Sequence, residues 1–320
     1  MTTHALVTGA NGFVAQWAMR AMLERGWSVT GGGYGPSPDQ LILNAAERAR
    51  IDWCELDVTR QNDVSAVVQR SRADVVLHLA GISHVPTAAN HPFLTYDVNT
   101  MGTVRLLSAV RACRDAGGSN PVILVIGSAD QYGRHATDDM PLTELAEQRP
   151  LSVYAASKVA QETVALQMFR SDGLRVRCTR SFNHSGVGHA SHFLLPALVA
   201  RALALPRAGG TLAIGNGDTI RDYLHVWDAV SGYLALITDG TDGEVYNVSS
   251  GAGHSVRALA RAVVERLGIA AEIGTETAYM RAADVPALVG DNSKLRRATG
   301  WAPQRSLDDI IDDLVHAATH

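Results

Sequence analysis

The chain has 320 residues, 46% of them hydrophobic and 19% charged, with a formal net charge of −4. That is the composition of a soluble globular protein with room for one large domain or two, and its acidic balance offers no basic field for nucleic acid or an anionic membrane. Three widely spaced cysteines, Cys54, Cys113 and Cys178, fit a reducing compartment rather than a disulfide framework or zinc site. The opening MTTHALVTGANGF lacks the pattern of a signal peptide, and no run approaches the roughly 18 apolar residues that span a bilayer. A cytoplasmic protein is expected.

The first half alternates short apolar runs with segments of helical period. HALVTGA reads as a strand, FVAQWAMRAMLERG as a helix closed by Gly26, and WSVTGG as a second strand. IDWCELDV, ADVVLHLAG and PVILVIGS read as three more strands, with helices over QNDVSAVVQRS and FLTYDVNTMGTVRLLSAVRAC. Continuous Val/Ile/Leu runs predict strands buried on both faces and therefore parallel. Repeated strand–helix units predict an α/β fold, a doubly wound parallel sheet. LRVRCTRSFN and GEVYNVSS read as later strands of that sheet, and YGPSPDQ (34–40) as a loop. The expected division is a first domain over 1–182, to which 219–249 returns, and a smaller discontinuous lobe over 183–218 and 250–320.

ALVTGANGFVAQ sets Gly9, Gly12 and Ala15 between a strand and a helix. Backbone N–H groups at such a glycine-rich turn can approach a pyrophosphate at the helix N-terminus, so the first domain is expected to bind a dinucleotide. The end of the second strand ordinarily carries an acid for a ribose 2′-hydroxyl or a base for a 2′-phosphate. TGGGYG offers neither, and Asp39 lies beyond two prolines. Lacking the acid, NADP(H) is slightly favoured over NAD(H). Asp57 closes the third strand where an adenine would lie, or is a loop carboxylate. Asn99, inside the long helix, bonds a neighbouring loop or is a tolerated polar residue.

In SVYAASKVAQE, Tyr154 and Lys158 stand one helical turn apart and project from one face. Ser128 closes the strand VILVIGS, at the carboxyl end where ligands bind in such sheets. A lysine cation near a phenol favours the phenolate and is expected to lower its pKa toward the working pH. The serine hydroxyl can steady a developing oxyanion.

On TGANGFVA, LDVT, HLAG, GSADQYG and YAASK, the chain resembles the extended short-chain dehydrogenase/reductase family, with its Rossmann sheet and smaller substrate lobe. RSFNHSGVGHASHFLLPALVARAL, GNGDTIRDYLHVWDAVSGYLALI and RAADVPALVGDNSKLRRATGWAP are similar to the nucleotide-sugar branch, most of all to GDP-4-keto-6-deoxy-D-mannose reductases and next to GDP-mannose 4,6-dehydratases. The resemblance implies Tyr154 as proton donor, Lys158 on the nicotinamide ribose and Ser128 as partner of the substrate carbonyl. It implies cofactor contacts from Gly9, Asn11, Gly12, Phe13, Val14, Asp57, Val58, Leu79, Ala80, Gly81 and Asn99. Asn183, Arg221 and Arg281 would meet the sugar and its diphosphate, where guanidinium forks match phosphate oxygens. The implied activity is NAD(P)H-dependent reduction of the C4 ketone of a nucleotide-linked 4-keto-6-deoxyhexose.

The residues also leave alternatives. Dehydration of GDP-mannose needs further acid and base groups. Related dehydratases look to have Thr-x-Glu or Thr-Asp-Glu at 128–130; Ala129 stands where the dTDP-sugar type has its leaving-group acid, and Asp130 keeps a carboxylate at the base position, one methylene short. A 4-epimerase would use the same three residues twice, and a cofactor-sensing protein without catalysis would not need the tyrosine. His184, His189 and His192 lack the pattern of a metal site and are expected in a lobe loop. The long helices over 91–113 and 153–170 have apolar stripes that in the family pair across a homodimer, although packing on the sheet explains the same stripe.

Overall fold

The computed structural model describes residues 2–35, 42–206, 209–280 and 285–319. In chain order its strands are β1 (His4–Thr8), β2 (Ser28–Gly33), β3 (Ile51–Glu55), β4 (Val75–His78), β5 (Val122–Ser128), β6 (Val176–Ser181), β7 (Asn183–Ser185), β8 (Gly210–Ile214), β9 (Ile220–His225), β10 (Val245–Val248), β11 (Gly253–Ser255), β12 (Ala271–Thr275) and β13 (Ala287–Leu288). The apolar runs read from the sequence form a seven-stranded sheet in the order β10-β6-β5-β4-β1-β2-β3, with every pairing parallel.

Helices cover both faces of this sheet, which is why its strands carry so little polarity. Phe13–Glu24 and Val226–Asp239 bury Met19, Met22, Val230 and Tyr233 on one side. Gln61–Ser71, Gly102–Asp115 and Val153–Asp172 bury Val64, Leu106, Leu107 and Met168 on the other. Strand order reverses between β1 and β4, and the loops leaving their carboxyl ends open the crevice in which ligands bind in doubly wound sheets.

The stretch 219–249, expected to return to the first domain, divides its strands between two sheets. β9 stays in a small sheet, between β11 and β13 and paired with β7. Only the following helix packs on the large sheet, and β10 then joins it. The long helix expected over residues 93–113 is also interrupted: Pro92–Tyr96 is α-helical, Asp97–Met101 is a π-helical segment, and the α-helix resumes at Gly102. No helix among the described residues is long and apolar enough to cross a membrane.

Candidate active site

The glycine turn leaves β1 at Gly9, whose φ is +68°. A Cβ at Gly9 would lie 2.8 Å from the Ala80 nitrogen, so the two loops that border the crevice touch where only glycine fits. Gly12 precedes the helix Phe13–Glu24, has no side chain to cap it, and is followed by no acid in the first turn. That helix N-terminus is open to an anion, and its residues fit a dinucleotide pyrophosphate. Phe13 flanks the turn and stacks on His189 at 4.8 Å, whereas Val14 and Leu79 are partly buried against the core. Asp57 and Val58 follow the edge strand β3. Asp57 accepts the Thr59 N–H and hydroxyl at 2.9 and 2.7 Å, and Val58 is buried beneath the helix that begins at Gly102.

Asn99 lies in the π-helical segment and is fully buried. Its Oδ1 accepts the Ile82 N–H at 2.7 Å, and its Nδ2 donates to Ile82 O at 3.1 Å and Ser157 Oγ at 2.9 Å. The loop reading is therefore the right one: this side chain fixes the turn after β4. A Cβ at Gly81 would come within 3.1 Å of Asn99 Oδ1 and 3.5 Å of Lys158 Nζ, so glycine turn, loop and the helix Val153–Asp172 converge on one space.

Ser128, Tyr154 and Lys158 come together there. Ser152 caps the helix Val153–Asp172, its Oγ accepting the Ala155 N–H at 3.1 Å, and the first two turns carry Tyr154 and Lys158 inward. The Ser128 side chain lies close enough to the Tyr154 phenol to act on its ionisation. The expected lowering of the Tyr154 pKa is overturned: burial, then the negative charge of Asp130, raise it, outweighing the lowering by Ser128. Lys158 Nζ donates instead to Ile126 O and Gln161 Oε1, each at 2.8 Å, and burial lowers its pKa to about 8. Tyr154 is thus a protonated phenol throughout the neutral range, with a proton to give but a weaker acid than the sequence led us to expect. Asp130 lies close enough for its charge to act on that phenol, and Ala129 is 2% exposed in an apolar cluster with Tyr132, Leu142, Phe182 and Leu288.

Asn183 in β7 and Arg221 in β9 share a face of the small sheet, because Asn183 pairs with Tyr223, two residues from Arg221. Asn183 Nδ2 donates to Asp222 O at 3.2 Å, and Arg221 Nη1 to Ile220 O and Val285 O at 2.9 and 2.8 Å. Arg281, like Asp39, lies outside the described residues. His84, His189, His192 and Phe193 form a chain of ring contacts at 4.3–4.5 Å, and no metal-holding cluster occurs among the described residues.

Sequence reasoning missed the polar scaffold behind these groups. Buried Asp222 accepts N–H bonds from Ser250, Gly251 and Gly290, holding two lobe loops to β9. Buried His78, kept neutral with its pKa lowered to about 3 by burial and by Lys158, bridges Thr8 and Thr103. In IRDYLHV the strand period of two puts Asp222 on the face of Ile220 and Leu224, and a carboxylate on an apolar face is the signal that points to it.

Comparison with known proteins agrees with this geometry. The family described as GDP-mannose 4,6 dehydratase matches residues 6–314. The GDP-6-deoxy-D-mannose reductase of Pseudomonas aeruginosa is 33% identical over 98% of this chain and 97% of its own length. The GDP-6-deoxy-D-talose 4-dehydrogenase of Aggregatibacter actinomycetemcomitans is 30% identical over 77% of this chain and 79% of its own. Among solved structures, RMD from Pseudomonas aeruginosa complexed with NADPH superposes with a TM-score of 0.81 at 29% identity, covering 100% of both chains.

Proposed function

The chain belongs to the GDP-mannose 4,6-dehydratase family, within the extended short-chain dehydrogenases/reductases, and from that premise we propose that it reduces the C4 ketone of GDP-4-keto-6-deoxy-D-mannose with NADPH. The observation that carries this reading is that Ser128, Tyr154 and Lys158 meet beside the loop at Gly81, with apolar Ala129 where the dTDP-sugar type of dehydratase keeps its leaving-group acid. Such a site can complete a reduction, but lacks a group to expel the C6 hydroxyl.

When bound, the reduced nicotinamide supplies the hydride to C4. Gly9, Gly12 and the N–H groups opening the helix at Phe13 would receive its pyrophosphate, and Lys158 its ribose. As charge develops on the C4 oxygen, Ser128 donates a hydrogen bond to it and Tyr154 delivers the proton. Asn183 and Arg221 would meet the sugar and diphosphate, with Arg281 as a further candidate. NADPH is taken over NADH because the end of β2 carries no acid to receive a ribose 2′-hydroxyl. Unpaired Cys54, Cys113 and Cys178 suit a reducing compartment, and the cytoplasm is the location this reading gives. A second copy of the chain is the partner expected along the helix beginning at Pro92, where Phe93 is 91% exposed.

Asp130 favours GDP-mannose 4,6-dehydration as the second reading, since its charge acts on the catalytic phenol. Single-turnover NADPH oxidation with the keto sugar and with GDP-mannose in parallel separates the two. Oxidation with the keto sugar alone, lost in Tyr154→Phe, is the expected result. A 4-keto product formed from GDP-mannose with catalytic NADP+, which takes up the C4 hydride and returns it, would instead make Asp130 a working base. NMR of the reduced sugar then gives the C4 configuration.

A further inference from the structure

We propose that Glu162, acting through Gln131, is the positioning residue that aims Ser128 at the reacting carbonyl, an inference that rests on the reading of Ser128 and Tyr154 given above. Glu162 lies one turn beyond Lys158 and two beyond Tyr154 on the same face of the catalytic helix, where it is 6% exposed. Its carboxylate accepts from Arg180 Nε and Nη2 at 3.0 and 2.8 Å, from Gln131 Nε2 at 2.8 Å and from Gln148 Nε2 at 2.6 Å.

The direction of these bonds matters more than their number. An ionised carboxylate only accepts, so Gln131 must turn its NH2 group toward Glu162 and its Oε1 away. That Oε1 accepts the Ser128 N–H at 2.8 Å, and Ser128 Oγ in turn accepts the Asp130 N–H at 3.2 Å. Acid, amide and serine backbone therefore form a one-way chain that admits one orientation of the Gln131 amide. A neutral group at 162 would offer both a donor and an acceptor. Gln131 could then flip and set its NH2 against the Ser128 N–H, donor against donor.

The surroundings leave Gln131 little room to escape. A Cβ at Gly127 would lie 2.5 Å from Gln131 Oε1 and 2.2 Å from Thr179 O, so the amide lies close against the strand end. Arg180, the other holder of Glu162, sits 4.8 Å over the Tyr132 ring, and the Tyr132 hydroxyl donates to Asn247 Oδ1 at 2.6 Å. The clamp thus spans the catalytic helix, the turn after β5, and strands β6 and β10. An ion pair serving stability alone would need Arg180. Here two glutamine amides share the carboxylate, and one of them holds the backbone of the serine.

Three variants test this. Gln131→Leu cuts the link and leaves the Glu162–Arg180 pair intact. Glu162→Gln removes the polarity of the link. Combining Glu162→Gln with Gln131→Glu again fixes one orientation, because an acceptor still faces the Ser128 N–H while residue 162 now donates to residue 131, the reverse of the wild-type bond. In NADPH-coupled reduction of the keto sugar, each single variant should lose tenfold or more in kcat, with KM for both substrates within threefold of wild type. The double variant should regain most of that loss. Hydrogen exchange over residues 127–133, followed by mass spectrometry, needs no substrate and should quicken in Gln131→Leu while the catalytic helix stays protected. Wild-type protein that leaves the keto sugar untouched would sink the functional reading, and the exchange result would still decide the clamp. Unchanged exchange in Gln131→Leu, or kcat per folded protein equal to wild type, overturns the proposal.

Discussion

Lys158 shows how catalysis and stability pull apart at a single residue. Its ammonium is 7% exposed, held by one backbone carbonyl and one amide oxygen, with its pKa lowered to about 8 by burial. The unfolded chain keeps the lysine protonated to its ordinary value of 10.5. Between those pH values the unfolded state binds more protons than the native one, so stability from this group rises with pH across that window. The shift corresponds to roughly 3 kcal/mol. The unfolding free energy of wild type minus that of Lys158→Met, measured in urea, should therefore climb between pH 8 and 10.5. A difference that stays flat would show that the buried cation is not destabilising. Activity should run the other way: kcat/KM for reduction falls above pH 8 as the cation is lost. Tyr154, raised rather than lowered, does not limit that range.

At the scale of elements, the cap of the catalytic helix sets where its first turn begins. Ser152 Oγ accepts the Ala155 N–H, and Tyr154 stands within that turn. Ser152→Ala should cost about 1 kcal/mol in urea unfolding, whereas Ser152→Asp should recover it. A larger kcat loss than KM change in Ser152→Ala would trace to Tyr154, the side chain the cap positions. This helix was also the most legible element, because Tyr154 and Lys158 share a face and Ser128 ends a run of apolar residues. The large sheet was legible for a related reason: VVLH and VILVI are buried on both faces and read as strands without context. β7, β11 and β13 have three, three and two residues, too few for any periodicity, and form only because β9 offers them an edge. The Glu162 clamp draws on 131, 148, 162 and 180, which no local pattern connects. The direction of the Tyr154 pKa failed likewise, because burial and the nearby Asp130 charge are tertiary facts.

Among the described residues, several large apolar side chains lie exposed along the helix that begins at Pro92. Phe93 is 91%, Leu94 50% and Met101 45% exposed, all within ten residues of one helical stretch. Single exposed apolar residues are ordinary, but a cluster on one element marks a surface that another protein covers. A net charge of −4 sets no strong repulsion between copies, and a two-fold pairing would bury the cluster on both. That pairing bears on the site. Met101 and Asn99 belong to the same π-helical segment, so a copy packed on Met101 and Phe93 braces the segment whose other side holds the Ile82 loop against the cofactor crevice. Phe93→Asp should then shift the mass seen by light scattering from twice 34.1 kDa to 34.1 kDa. It should also weaken NADPH binding in a fluorescence titration, although residue 93 lies in no proposed cofactor contact. A variant that remains at the wild-type mass would remove this cluster from the interface. A monomer with unaltered NADPH affinity would separate assembly from the site, and the π-helical segment would then be held within the chain by the bonds of Asp97, Asn99 and Thr100.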